Sequence, residues 1–565
     1  MRLLAGLFFV SVSNYFNVLF PQVTGFVVDY VQRTLQLPGY QPAGRPARYD
    51  AMVQRFADWV SEQTWGMEQV VAVCGLTILM LAILRGFFLF LMRQTLIVMS
   101  RHIEYAQKSD LYAHFQQMDL SFFKKNRTGD LMNRIAEDVG RVRMFTGPAL
   151  MYVANLFTII LFCVISMWRR DPILTLYVLS PLPLLAYLMY RVNERINRMS
   201  EQTQAALSDL TVQAQETYSG IRVVKSFVQE RSIIGWFAER AERYRHAALG
   251  LARIEALYFP SISLLIGIST LLTILMGGLY VMQGGGLGLN ALVEFILYIN
   301  MLTFPVSAIG LTASLTQRAA ASQLRIDALL DEQPKIQSAG RERLNAIEQI
   351  DFTQVNFTYP ETGIQAAKGW NIRIKKGERW LITGSTGSGK STWAQLLLRF
   401  YDPDSGTVSI NGIDYRCYDL AALRNSIAYV PQDVFLFSDS IEANLRFGNE
   451  AATEEEMIRV AKAACLHEEV IQFPDGYQTV VGERGVTLSG GQKQRLALAR
   501  ALLKPADVYI LDDTLSAVDV QTEQRILQSL DMLAKESIWV LITHRVPAQF
   551  RFDGTIRLDE GKITS

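Results

Sequence analysis

One short segment of this chain combines glycine, lysine and hydroxyl residues at a spacing suited to binding phosphate. Gly384-Ser-Thr-Gly-Ser-Gly389-Lys390-Ser391 matches the pattern GxxxxGK[ST], follows a short apolar run and precedes a helical one, which is the context that the pattern requires. Its glycines let backbone amides turn toward phosphate oxygens, Lys390 supplies a cation near the β- and γ-phosphates, and the Ser391 hydroxyl is a ligand for Mg²⁺. The segment therefore predicts a site for a nucleoside triphosphate and Mg²⁺. The residues expected to contact the nucleotide here are Gly384, Ser385, Thr386, Gly387, Ser388, Gly389, Lys390, Ser391 and Thr392.

A carboxylate at the end of a neighbouring strand is needed to hold the metal ion. Asp512 has this place, because it ends the apolar run Val508–Leu511. The alternative is an aspartate that merely ends a strand, and the phosphate-binding pattern in the same chain argues against it. We therefore expect Asp512 to be a metal ligand.

The elements that must position these residues follow an α/β pattern. From Asp351 onward, apolar strand-like runs alternate with helical runs, which is typical of an α/β domain with a mainly parallel sheet. The strand-like runs are Trp380–Thr383, Ser426–Val430, Val508–Asp512 and Trp539–Thr543. We assign residues 346–565 to this domain and residues 319–345, which Gln333-Pro334 interrupts, to a linker.

Residues 1–318 have a different composition, because long apolar runs fill them. A membrane span needs about 20 mostly apolar residues. The candidate spans are residues 3–31, 67–97, 147–168, 171–195, 255–283 and 289–317. The sequence therefore predicts a membrane-embedded helical bundle with six long spans, fused to the α/β domain.

Six spans return the chain to its starting side, so the polar stretches 98–146 and 196–254 share a compartment with the α/β domain. ATP places that compartment in the cytoplasm, and the cationic residues of 98–146 agree with the orientation rule. Arg169 and Arg170 do not follow this rule, because they fall in a turn that the six-span topology places outside. Residues 32–66 would form an outside loop, long for such a connection, that ends in a short amphipathic helix.

Charge and cysteine content exclude other classes of protein. The formal net charge is +1, which gives no basic face for nucleic acid as a partner. The four cysteines are scattered without ligand spacing, so neither a disulfide framework nor a zinc site is predicted.

Further motifs give a resemblance to a known family. Together with the phosphate-binding segment, they resemble the ATPase domain of the ABC superfamily. These motifs are Val430-Pro-Gln432-Asp433, Leu488-Ser-Gly-Gly-Gln492, Ser516-Ala-Val-Asp519 and Ile542-Thr-His544-Arg545. The resemblance covers the whole chain, because the predicted spans are similar to a half-transporter of the type I ABC exporter fold, in its multidrug and lipid-exporting branch. Two stretches, Phe122–Leu131 and Glu216–Lys225, look like the coupling segments of that family.

The resemblance implies roles for particular residues. Tyr359 would stack on adenine, and Gln432 would reach Mg²⁺ and the attacking water, so the implied metal ligands are Ser391, Gln432 and Asp512. Asp513, His544 and Gln432 would be the catalytic residues. The residues Ser489, Gly490, Gly491 and Gln492 would face the γ-phosphate held by an opposing subunit, and Asp519 would bridge the two sites. The implied working unit is a dimer.

Asp513 departs from the family pattern, in which glutamate usually follows the metal-binding aspartate. Aspartate is one methylene shorter, and the oxygen of a general base must approach the attacking water to about 2.6–3.2 Å. In the family, aspartate here is typical of the degenerate half of a heterodimeric exporter. A heterodimer is therefore favoured, and a homodimer that hydrolyses ATP through Asp513 stays open.

The implied function is ATP-driven export of hydrophobic or amphipathic small molecules or lipids across the inner, cytoplasmic membrane. A lipid floppase and an ATP-gated channel or regulator that does not transport remain alternatives. Ionisable residues inside spans are candidates for substrate contact, above all Arg85 and Glu294. The alternative for Arg85 is pairing within the bundle, and the alternative for Glu294 is a place near the membrane interface, because it lies only a few residues into its span.

Overall fold

The computed structural model describes residues 1–35, 49–282, 288–338, 340, 342–482, 485, 487–533, 536–544, 546–547 and 550–564. The chain divides into two units. The first comprises Met1–Ala113 and Met132–Asp331, and the second comprises His114–Leu131 and Glu332–Ser565. Pro38, Gly39, Pro42, Gly44 and Pro46 of the predicted outside loop 32–66 lie outside the described residues.

The part of the chain before residue 331 is helical. Its helices are α1 (Arg2–Thr34), α2 (Ala51–Glu62), α3 (Met67–Gln117), α4 (Leu120–Lys125), α5 (Thr128–Asn133), α6 (Val139–Met144), α7 (Leu150–Arg170), α8 (Pro172–Leu179), α9 (Leu182–Ser219), α10 (Ile221–Ser226), α11 (Glu230–Met282) and α12 (Leu289–Leu330). Two π-helical turns, Arg134–Asp138 and Phe145–Ala149, join α5, α6 and α7 into one long helix.

Within the described residues, five helices are long and apolar enough to cross a membrane. They are Arg2–Thr34, Met67–Gln117, Thr128–Arg170, Glu230–Tyr280 and Leu289–Leu330. Within the predicted span over 171–195, a turn at Ser180–Pro181 separates α8 from α9. Pro181 and Pro183 both lack a backbone N–H, which removes two helical hydrogen bonds at this place.

Polar side chains connect the helices of the first unit. Asn14 of α1 donates hydrogen bonds to Asn155 Oδ1 at 3.0 Å and to Thr158 Oγ1 at 2.6 Å, both on α7. Such interhelical bonds satisfy polar groups that have no water partner in a bilayer.

Acidic partners account for the two arginines that oppose the orientation rule. Arg170 Nη2 lies 3.5 Å from Glu294 Oε1, and the guanidinium lies 5.4 Å from the centre of the Tyr49 ring. Arg169 Nη1 lies 4.0 Å from Asp50 Oδ2. For Glu294 the structure therefore supports pairing within the bundle. Arg85 is exposed on α3.

The second unit contains two sheets in its described part. The strands are β1 (Gln349–Thr358), β2 (Gln365–Lys375), β3 (Arg379–Gly384), β4 (Ser405–Ile410), β5 (Ile413–Asp414), β6 (Ile427–Val430), β7 (Val508–Asp512), β8 (Ile538–Ile542), β9 (Gly554–Asp559) and β10 (Lys562–Thr564). One sheet is antiparallel in the order β2-β1-β4-β5. The other has the order β10-β9-β3-β8-β7-β6, and all its pairs except β10–β9 are parallel.

The parallel strands lie in the core of this unit. Strand β8 is buried at every residue, as expected for a parallel strand covered on both faces. The predicted α/β domain with a mainly parallel sheet is confirmed, while the antiparallel sheet was not predicted. The helices of this unit that follow β3 are α13 (Lys390–Leu397), α14 (Leu420–Asn425), α15 (Ile441–Arg446), α16 (Glu454–Ala463), α17 (His467–Val470), α18 (Gly490–Leu503) and α19 (Val520–Leu533).

Candidate nucleotide-binding site

The phosphate-binding segment joins β3 to α13. Strand β3 ends at Gly384 and α13 begins at Lys390, so the glycine-rich loop leads straight into a helix N-terminus. Gly389 has a φ of +103°, and a Cβ there would lie 2.4 Å from the carbonyl oxygen of Ala366. Only glycine fits this position, because the loop lies so close to the neighbouring strand that a Cβ would clash with it.

Lys390 is held by the loop that it follows. Its Nζ donates hydrogen bonds to the carbonyl oxygens of Gly384 at 3.0 Å and Ser385 at 2.8 Å. Burial lowers the pKa of Lys390, while the negative charges of Asp512 and Asp513 act in the opposite direction. Lys390 therefore lines the same cleft as Asp512, which ends β7, and Asp513, which follows it.

Asp512 ends β7 with its side chain buried; the residue is 2% exposed. Burial raises the pKa of this carboxyl group, and hydrogen bonds from the hydroxyl groups of Ser391 and Tyr429 oppose the rise. Tyr429 Oη lies 3.2 Å from Asp512 Oδ2. Sequence reasoning missed Tyr429, although its strand β6 is the parallel neighbour of β7 and ends beside it.

A cleft of about 310 Å³ brings many of the predicted site residues together. Its lining comprises Tyr359, Ile364, Ala366, Thr386, Gly387, Gly389, Lys390, Ser391, Thr392, Gln432, Asp512, Asp513 and His544. The three proposed metal ligands Ser391, Gln432 and Asp512 are all among these residues. Their hydroxyl, amide and carboxylate oxygens are ligand types that Mg²⁺ takes in proteins.

Two serines of the loop differ in their surroundings. Ser388 Oγ is buried and has no hydrogen-bond partner within the described part of the chain. Ser385 Oγ instead donates to Asp559 Oδ1 at 3.4 Å. The unpartnered hydroxyl of Ser388, the loop amides and Lys390 form a donor set that suits phosphate oxygens.

Tyr359 reaches the cleft from the end of β1. Its hydroxyl lies 2.9 Å from Thr392 Oγ1 and donates to Gln395 Oε1 at 3.0 Å, both on α13. The ring is therefore fixed to the helix that carries the phosphate-binding loop. Gln395 was not predicted, and its only sequence signal is its place one turn along α13 from the loop.

The predicted catalytic residues Asp513 and His544 border the same loop. His544 Nδ1 lies 3.1 Å from the carbonyl oxygen of Gly384. Asp513 has a φ of +49°, its amide donates to the Ile542 carbonyl oxygen at 2.8 Å, and its own carbonyl accepts from Ser516. Aspartate is one of the few residues that tolerate this left-handed conformation well.

The signature residues form a separate feature of the second unit. Ser489 caps α18 in a reciprocal capping box, in which Ser489 Oγ accepts from the Gln492 amide and Gln492 Oε1 accepts from the Ser489 amide. Gly490 and Gly491 open the helix. Asp519 caps α19 by accepting from the Thr522 amide at 3.0 Å. Among the described residues that line the cleft, none belongs to this set.

The signature helix is braced by an ion pair that sequence reasoning missed. Arg495 donates to both carboxylate oxygens of Glu469, at 2.6 and 3.0 Å, and Gln492 Nε2 donates to the same group at 2.9 Å. Arg495 and its neighbours lower the pKa of Glu469, while burial acts in the opposite direction. Gly490 and Gly491 thus begin a helix whose first turns are held in place by Glu469.

Comparison with known proteins places these features in one family. Residues 3–306 match the ABC transporter transmembrane region. The chain belongs to the ABC transporter family. Residues 367–516 match the family described as ABC transporter, which agrees with the nucleotide chemistry of the cleft.

The relatives of this ABC transporter cover most of its length. The multidrug resistance-like ATP-binding protein MdlA of Escherichia coli (strain K12) is 33% identical over 90% of this chain and 86% of its own length. The ATP-dependent lipid A-core flippase of Syntrophus aciditrophicus (strain SB) is 33% identical over 81% of this chain and 76% of its own length. A solved structure of a bacterial Atm1-family ABC exporter with ATP bound shares the fold, with a TM-score of 0.76 at 24% identity over 100% of this chain and 95% of that chain.

This ABC transporter is a multipass membrane protein that binds and hydrolyses ATP and uses it for export. The predicted exporter fold, with a helical membrane region fused to an ATPase domain, is confirmed.

Proposed function

We propose that this ABC transporter is one half of an exporter for hydrophobic or amphipathic small molecules in the inner, cytoplasmic membrane, with its ATPase domain in the cytoplasm. The observation that carries the proposal is the cleft in which Lys390, Ser391 and Asp512 lie with Gln432 and His544. The apolar faces of the membrane helices and the name of the relative from Escherichia coli support the substrate class.

The side chains of the cleft have distinct tasks in this proposal. Lys390 and the loop amides bind the β- and γ-phosphates, and Tyr359 stacks on adenine. Ser391, Gln432 and Asp512 hold Mg²⁺, which neutralises phosphate charge when it is bound. Asp513 accepts a proton from the attacking water, and His544 contacts the γ-phosphate from the side of Gly384.

A second half-transporter completes the site. The amides of Gly490 and Gly491 would serve the nucleotide of the partner, because the cleft of the same chain does not include them. Two exposed apolar surfaces support a dimer. The helix α10 has no buried residue; Val223 within it is 61% exposed, and Phe227 directly after it is 70% exposed.

The second exposed surface is an apolar groove of the ATPase domain. Its lining includes Phe435, Phe437 and Phe447, which are 54%, 41% and 66% exposed. We assign the groove to the α10 segment of the partner, because burying both surfaces removes exposed apolar area from water.

The partner is proposed to be a different chain that supplies a glutamate after its metal-binding aspartate. The support is Asp513, whose carboxylate is one methylene shorter than that of glutamate, beside an intact signature at Ser489–Gln492. A heterodimer would then have one site that hydrolyses ATP briskly, formed by the partner's loop and the signature of this chain.

Transport in inside-out vesicles tests the proposed function. Vesicles that contain this chain and its partner should accumulate a hydrophobic fluorescent cation against its gradient when MgATP is added, and a Lys390→Ala variant should not. Movement of the dye only down its gradient would indicate an ATP-gated channel and overturn the proposal.

A lipid floppase is the second candidate, because one relative is described as a lipid A-core flippase. The same vesicles, prepared with a fluorescently labelled phospholipid, distinguish the two. ATP-dependent movement of the label between leaflets without accumulation of the dye would assign lipid as the substrate.

A further inference from the structure

A short piece of the membrane region belongs to the second unit. The chain leaves α3 at Gln117, forms α4 and continues into α5, and residues His114–Leu131 cluster with the ATPase domain. Asp119 caps α4 by accepting from the amides of Ser121 and Phe122, and its other oxygen accepts from the Lys335 amide at 2.8 Å. Leu120 packs against the core of the ATPase domain. The segment is therefore anchored to that domain.

Lys124, near the end of α4, lies over two aromatic rings. Its ammonium nitrogen is 4.9 Å from the centre of the Tyr359 ring and 5.1 Å from the centre of the Tyr401 ring. These rings are 5.5 Å apart and nearly perpendicular, at 87°. A cation within about 6 Å of a ring centre is attracted by the negative face of the ring. Lys124 is thus placed against the π-face of Tyr359.

The next residue has a different contact. Lys125 Nζ lies 3.0 Å from Glu332 Oε1, and its side chain is 68% exposed. An exposed ion pair of this kind contributes little to stability. Lys125 has the same charge as Lys124 and lies on the same helix, but it does not contact an aromatic ring. It is therefore a matched control for Lys124.

Tyr359 is consequently held from two directions. Its hydroxyl is fixed by Thr392 and Gln395 of the helix that follows the phosphate-binding loop, and its ring is fixed by Lys124. We propose that Lys124 is a positioning residue that orients the Tyr359 ring for stacking on the adenine base. This inference rests on the proposed function, in which Tyr359 stacks on adenine.

The contact between Lys124 and Tyr359 would couple binding of the adenine base to the transmembrane helix α3. Because Lys124 lies between α3 and α5 in the chain, a change in its position is transmitted covalently to both helices. Binding free energies at two coupled sites are reciprocal, so a segment that favours base binding is itself stabilised in place by the bound base. Binding of the adenine base, in addition to binding of the phosphates, would then stabilise the position of the segment that carries Lys124.

A comparison of two ligands tests the proposal. The dissociation constants of MgATP and of magnesium tripolyphosphate, which has no base, are measured on the purified full-length chain in lipid nanodiscs. We expect Lys124→Met to weaken MgATP binding about fivefold, within the range of a cation–π contact at an exposed site, and to leave tripolyphosphate binding unchanged. Lys124→Arg should restore the affinity for MgATP, and Lys125→Met should match the unmodified chain.

A Tyr359→Leu background provides a second, independent measurement. If Lys124 acts through the ring, Lys124→Met should have no further effect on MgATP affinity in that background. Equal weakening of both ligands, or an undiminished effect without the ring, would assign Lys124 a general structural role and overturn the proposal, as would unchanged MgATP affinity. Failure of the unmodified chain to bind MgATP would instead overturn the proposed function.

Discussion

Arg170 and Glu294 meet inside the helical unit, with Nη2 and Oε1 3.5 Å apart and side chains only 7% and 2% exposed. Arg170 is the last residue of α7 and Glu294 lies in the first turns of α12, so the pair connects two helices that are distant in sequence. A buried pair of this kind is costly to break on one side only, because an uncompensated charge remains.

Single substitutions in this pair should therefore destabilise the protein. We expect Arg170→Met or Glu294→Leu to lower the free energy of unfolding by about 3 kcal/mol, and the double substitution to recover most of the loss. Thermal unfolding in detergent measures the effect. Arg169→Met is the control, since Arg169 is 62% exposed and should change stability little. Equal effects of Arg169 and Arg170 substitutions would contradict the prediction.

Two glycines of the phosphate-binding loop should differ in their tolerance of alanine. Both Gly387 and Gly389 have positive φ, at +80° and +103°, but only a Cβ on Gly389 meets a backbone oxygen, that of Ala366 at 2.4 Å. We expect Gly387→Ala to cost about 1 kcal/mol of stability from backbone conformation and Gly389→Ala to cost clearly more and to abolish MgATP binding. Unfolding and nucleotide-binding measurements on both variants check this, and similar behaviour of the two would show that the Ala366 contact is unimportant.

Stability should depend on pH through Asp512. Burial raises its pKa above the ordinary value of 3.8, so the folded state binds more protons than the unfolded state between the ordinary and the raised pKa. Stability contributed by the neutral carboxyl group is consequently lost as the pH rises through this window. We expect Asp512→Asn to gain stability relative to the unmodified chain as the pH rises from about 4 toward 7, in the absence of nucleotide. Parallel unfolding curves at all pH values would contradict the assignment.

The length of the side chain at position 513 should limit ATP hydrolysis by the purified chain. We expect Asp513→Glu to raise turnover at least about tenfold, because the carboxylate gains the reach that a general base needs. Asp513→Asn is the control, since asparagine also tolerates the observed φ of +49° and should fold normally without supporting hydrolysis. Brisk turnover of the unmodified chain that glutamate does not improve would favour the homodimer.

Much of the fold was predictable because it depends on local patterns. The runs that form β3, β7 and β8 are continuous and apolar, and the glycine-rich loop carries its own signature in consecutive residues. At 171–195 hydropathy indicated a span but not the turn at Ser180–Pro181 within it. Hydropathy takes no account of backbone donors, and Pro181 and Pro183 divide the helix.

The residues of the candidate site were predictable from the sequence, but the residues that hold them in place were not. Lys390, Ser391 and Asp512 follow from the motif and the strand end that carry them. Tyr429, which donates to Asp512, and Glu469, which braces the signature helix, carry no motif. Their roles depend on which strands and helices lie side by side.

The sequence by itself determined that this chain binds ATP and enters a membrane, since both properties are encoded in consecutive residues. Tertiary structure alone decided that Arg170 pairs with Glu294 and that Lys124 lies on the ring of Tyr359. The physical reason is that contacts between residues far apart in the chain are set by how helices and strands pack, and no local period or spacing records that arrangement.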